Sequence, residues 1–63
     1  MLNLVDQIIA YEQGDLDFHS TIKMFQELIN SGQAWQLQGH YGRTAMRLIE
    51  EDLCTPAKKE QEV

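Results

Sequence analysis

The stretch DFHSTIKMFQELINSG, Asp17 to Gly32, decides the fold. Within it Phe18, Ile22, Phe25 and Ile29 recur every three or four positions, and Met24 and Leu28 widen the stripe. That spacing puts the apolar residues on one face of an α-helix, which it predicts to run to about Asn30. Asp17 is the better of two candidate N-caps, Asp15 being the other, because its carboxylate can accept the unpaired N–H groups of the first turn. Asn30-Ser31-Gly32 supplies the stop.

Upstream, Leu4, Val5, Ile8 and Ile9 line one side of a helix from about Asn3 to Gln13, which Gly14 ends. So few residues separate it from the Asp17 cap that the two helices are expected to pack as a hairpin. Downstream, Gln33-Ala34-Trp35-Gln36-Leu37-Gln38 reads equally as a short helical turn or an extended connector, since Gly39 interrupts it before a period shows. A third helix is expected from about His40 or Tyr41 to Asp52. Tyr41, Ala45, Leu48 and Ile49 share one face of it, with Arg43, Arg47 and Glu50 toward the other. The segment after Leu53 has no apolar stripe, and Pro56 discourages a helix. The expected architecture is an all-α, three-helix protein, a helical hairpin plus a third helix, over residues 1–53, with a disordered tail over 54–63.

A chain of 63 residues makes one domain at most, and one this short buries only about 60% of the surface that its unfolded form exposes. Small cores lean on disulfides, metals or a second chain. A single cysteine, Cys54, leaves no intrachain disulfide, and His19, His40 and Cys54 lack the paired spacing of a metal site, so no cofactor is expected and a homo-oligomer is. The apolar runs are too short for a membrane span, and MLNLVDQII lacks the basic start of a signal peptide, so a cytoplasmic protein is expected.

The net charge of −5 argues against nucleic acid as a partner, because binding to phosphates relies on clustered Lys and Arg. The charge is also uneven. Asp6, Glu12, Asp15, Asp17 and Glu27 face Lys23 alone in residues 1–32, whereas residues 33–49 hold Arg43 and Arg47 and no acid. Glu50-Glu51-Asp52 then restores the acidic sign.

The unusual segment is AWQLQGHYGRTA, Ala34 to Ala45. Trp35, Tyr41 and Arg43 are residue types that dominate binding hot spots, although a lone Trp in so small a chain more often caps the core, and one ring can do both. Gly39 and Gly42 flank His40-Tyr41 at a helix start, where free N–H groups and Arg43 suit an anion; the structural alternative is a turn at Gly39 and close helix packing at Gly42. Arg43 and Arg47, four apart, share a face and would form a two-point clamp, or else pair with acids of the first two helices. His40 has neither a nucleophile nor an acid near it in sequence, so no enzymatic constellation is expected. The candidate contact residues for a partner or anion are Trp35, Gln38, His40, Tyr41, Gly42, Arg43 and Arg47.

Trp35, Leu37-Gln38-Gly39, Tyr41-Gly42-Arg43-Thr44-Ala45 and Leu48-Ile49-Glu50, preceded by Phe25-Gln26 and Ser31-Gly32, carry a likeness. In this pattern, W-x-L-Q-G-x-Y-G-R-T-A at its centre, the chain resembles a family of very short proteins encoded mainly by tailed bacteriophages, without an assigned function. The likeness spans about residues 2 to 53. It implies a setting in the cytoplasm of an infected bacterium rather than a mechanism. Three roles are then open: a module that binds and inhibits or redirects a host protein, antiviral-defence proteins included; an oligomeric sponge for a small anionic ligand such as a nucleotide signal; and a structural or assembly protein.

Overall fold

The computed structural model describes residues 3–57, and among them lie three α-helices, one short 3₁₀ turn and no strand. The helices are α1 (Leu4–Glu12), α2 (Phe18–Ser31) and α3 (Gly39–Glu50), with the 3₁₀ turn Gln33–Trp35 between the last two. The helical hairpin and the third helix are therefore present.

Helix α2 forms the centre. Asp17 holds an extended backbone and accepts the Ser20 N–H on its carboxylate at 3.3 Å, while its carbonyl accepts the Thr21 hydroxyl at 2.8 Å. At the other end Gly32 turns left-handed, φ +84°, and donates its N–H to the Ile29 carbonyl at 3.1 Å. Between these caps Met24, Phe25, Leu28 and Ile29 are fully buried, each contributing roughly 1.5–3 kcal/mol of transfer free energy. Phe18 opens the apolar stripe in sequence but occupies the first helical position and is largely exposed.

Helix α1 is capped by Asn3, whose side-chain oxygen accepts the Asp6 N–H at 2.8 Å, and it ends at Gly14, φ +80°. Leu4, Ile8 and Tyr11 pack against the α2 core without being buried, and Val5 and Ile9 point away from it. No residue of α1 is buried.

The connector after Gly32 takes the helical option. Gln36 and Leu37 both donate their N–H groups to the Gln33 carbonyl, at 2.9 and 3.2 Å, and the turn drives Ala34 wholly into the core. Helix α3 then starts at Gly39 and buries Tyr41, Ala45 and Leu48, with Ile49 at the margin. It stops two residues ahead of the expected Asp52, which instead adopts φ +63° while Leu53 donates its N–H back to the Leu48 carbonyl at 2.9 Å. A left-handed residue followed by a back-bonded one is a helix terminator, and an aspartate is among the side chains that tolerate it.

The start of the segment expected to be a disordered tail folds onto α2. Cys54 is buried, its Sγ 3.6 Å from the Ile22 carbonyl, and burial pushes its thiol pKa up. Gln26 then clasps the backbone of Thr55, its Oε1 accepting the N–H at 2.8 Å and its Nε2 donating to the carbonyl at 2.9 Å. The remainder of that expected tail, 58–63, lies outside the described residues. No helix among the described residues is long and apolar enough to cross a membrane.

Candidate functional site

The seven candidate contact residues do not form one site. The fold divides them between two faces and a buried anchor, and it adds two residues of α1 that sequence reasoning passed over.

The anchor is Tyr41, only 2% exposed. Its hydroxyl donates to Glu12 Oε2, fixing the end of α1 to the start of α3. Burial first, and then the hydrogen bond to this carboxylate, raises the phenol pKa above its ordinary value, so the neutral form is favoured. Around it sits an aromatic group. Tyr11 meets Phe25 edge-on with centroids 5.4 Å apart, Phe25 lies 5.9 Å from Tyr41, and His40 lies 4.4 Å from Tyr41.

On the first face Tyr11, Glu12, Gln38 and His40 line a shallow, open pocket of about 510 Å³. The Tyr11 hydroxyl and His40 Nε2 share a hydrogen bond of 3.1 Å, and their rings stack at 5.9 Å. His40 thus gains a partner 29 residues away, and the only acid at the pocket, Glu12, is engaged by Tyr41. Tyr11 carried a sequence signal, since it continues the inward positions Leu4 and Ile8 by three; Glu12 carried none.

The second face is the side of α3 turned from the core. Gly39, Gly42, Arg43 and Met46 are spaced by three and four residues, so they stack along one strip opposite Tyr41, Ala45 and Leu48. The Trp35 ring, delivered by the 3₁₀ turn, borders that strip: a Cβ on Gly42 would lie 3.6 Å from Trp35 Cε3 and 3.6 Å from the Ala34 carbonyl. Gly42 therefore permits the close approach foreseen for it, without being its sole possible occupant. Trp35 is 49% exposed, and Met46 beside the strip is 48% exposed. The indole N–H has no hydrogen-bond partner among the described residues, so Trp35 rests one side of its ring on the protein and presents the other to solvent.

The two arginines diverge. Arg43 reaches toward the start of α3, where its Nη1 would be 3.1 Å from a Cβ on Gly39. Arg47 reaches the other way and pairs with Glu51, one turn on, at 3.6 Å, with both side chains largely exposed. Such a pair contributes little. Within one chain the two guanidinium groups do not converge as a clamp, and Arg47 takes its acid from beside its own helix rather than from α1 or α2.

Residues 1–62 match a family model described as a domain of unknown function (DUF7417). The chain belongs to this family. No curated protein and no solved structure matches it. The DUF7417 fold thus presents two surfaces of different chemistry. The pocket is polar and its titratable groups are already hydrogen-bonded, Tyr11 to His40 and Glu12 to the buried Tyr41. The α3 strip combines an aromatic ring, a thioether and a cation that has no ion pair among the described residues. Among the described residues no three His, Cys, Asp or Glu side chains are grouped to hold a metal ion. Cys54, the one thiol of the DUF7417 chain, is sequestered against Ile22 with its nucleophilic form disfavoured.

Proposed function

We propose that this chain is a non-enzymatic binding module of bacteriophage origin that engages a host bacterial protein in the host cytoplasm, inhibiting or redirecting it, with antiviral-defence proteins among its targets. The phage setting rests on the W-x-L-Q-G-x-Y-G-R-T-A resemblance. The contact itself rests on one observation: Trp35 stands half exposed against Gly42 of α3, its indole N–H without a partner among the described residues, and the exposed Met46 and Arg43 lie within one helical turn of Gly42. Tryptophan and arginine are the residue types most enriched where binding energy concentrates, and a protein this small has little reason to leave so large an apolar ring in water. Tyr41 serves the same face from behind, setting the angle of α3.

The test is affinity purification from infected cells with the wild-type chain and with Trp35→Ala. The proposal expects a bacterial protein that the wild type recovers and Trp35→Ala loses, while Val5→Ser on α1 retains it. Recovery of nothing above background, or equal recovery by Trp35→Ala, would overturn it.

A second reading, self-association, is favoured by a different observation. Val5 and Ile9, one turn apart on α1, are 64% and 49% exposed, although six of the nine residues of that helix are apolar. A helix apolar on several sides is usually covered. We propose that copies of the chain meet there. The anionic-ligand reading has weaker support, since the divergence of Arg43 and Arg47 would require arginines from several chains to converge.

A further inference from the structure

We infer that the α3 strip takes an acidic partner segment, one that lays an apolar side chain against Trp35 and Met46 and sets a carboxylate on Arg43. This rests on the reading of that face as the contact surface and adds the chemistry of what it contacts.

Three observations carry it. First, Arg43 is a cation on this face without an ion pair among the described residues. Although the sequence holds ten acids, no carboxylate of the described residues lies within 4 Å of its guanidinium, whereas Arg47 is paired with Glu51. Second, the segment that carries Arg43 is locally basic, and the one acid of α3, Glu50, stands at the far end of that face. Residues 33–49, which include the 3₁₀ turn and almost all of α3, contain Arg43 and Arg47 and no acid, in a chain that is otherwise acidic. A guanidinium at the edge of an apolar patch forms a short, charge-assisted pair with a carboxylate once the patch is covered and water leaves. Third, the indole N–H beside the apolar strip has no acceptor among the described residues, and an acceptor on the same segment satisfies it.

The same facts discriminate among occupants. A basic segment would bring like charge to Arg43. Nucleic acid meets an overall charge of −5 with too few cations to release its counterions. A second copy meeting this face with its own would oppose Arg43 to Arg43. A second copy offering its acidic α1 and α2 would join chains into a ring or a filament, which the mass of the free chain reports.

A random-peptide display library, selected against the immobilised full chain and counter-selected with Trp35→Ala, tests this directly. Selected peptides should pair Asp or Glu with Leu, Phe or Trp. Arg43→Glu should weaken them at least tenfold and added salt should weaken them further, while Lys23→Glu, an equal charge change on α2, should alter affinity less than threefold. Circular dichroism of each variant establishes that it folds. Peptides that require Trp35 but show no acidic bias and ignore Arg43→Glu would overturn the acidic partner and leave the contact face standing. If no selected peptide depends on Trp35, the contact face itself fails. A rise in mass of the free chain that Trp35→Ala abolishes would assign the strip to a second copy and overturn the inference.

Discussion

At Gly42 a Cβ would meet its neighbours at 3.6 Å, which is ordinary van der Waals contact, and the position lies inside a helix where glycine costs conformational entropy. Gly42→Ala should therefore stabilise the fold by about 0.5–1 kcal/mol. Gly32 behaves in the opposite way. Nothing crowds it, yet its φ of +84° is left-handed, so Gly32→Ala should destabilise by about 1 kcal/mol. Urea denaturation of the two variants checks both signs, and a loss for Gly42→Ala would mean that the Trp35 contact is tighter than described. Tyr41 gives a prediction in pH. Its phenol pKa is raised in the folded state, so its contribution is fully present below about pH 10, where the unfolded phenol titrates, and is lost as pH rises toward the folded value. Stability of the wild type should fall above pH 10. Tyr41→Phe should lose about 1 kcal/mol at neutral pH and show a shallower alkaline decline.

Among the elements, α2 was legible and the joints between elements were not. The stripe from Ile22 to Ile29, the Asp17 cap and the Gly32 stop are local, and local geometry follows from residue spacing and backbone preference. The 3₁₀ turn was not legible, because three residues are too few to display a period. Tyr41 to Glu12, His40 to Tyr11 and the Thr55 backbone to Gln26 each join residues 29 positions apart, and no short-range pattern encodes such a pairing. Of the candidate site, the residue types of the α3 strip could be read from the sequence. The divergence of Arg43 and Arg47, and the withdrawal of Tyr41 into the core, depended on how α1 and the 3₁₀ turn pack. Two predictions belong at this scale. With no buried residue, α1 should show the fastest amide exchange of the three helices and α2 the slowest, since isolated helices of this length are marginal. Uniform protection would contradict that ordering. Asp17→Ala should lower the thermal midpoint. Its hydrogen bond from Ser20 depresses the carboxyl pKa, so the stability it lends is present above about pH 4 and fades as pH falls through the folded value, and the variant and wild type should converge in acid.

For the whole molecule, a core built on one helix with another laid unburied across it leaves apolar surface on two sides. The α1 side carries Val5 and Ile9 in acidic surroundings; the α3 side carries Trp35 and Met46 beside Arg43. If copies meet through α1, sedimentation should show a mass above that of the 7.3 kDa chain that rises with concentration and that Ile9→Lys reduces to the monomer without loss of helicity. A wild type that stays monomeric at millimolar concentration would exclude that contact. The α3 side is the one we propose meets a host protein, and photo-crosslinking in infected cells tests it most directly. A photoreactive residue placed at Met46 should yield a discrete adduct with one bacterial protein, lost on Trp35→Ala and not formed from the same residue at Lys23. No adduct at Met46, or the same adduct from both positions, would contradict the assignment.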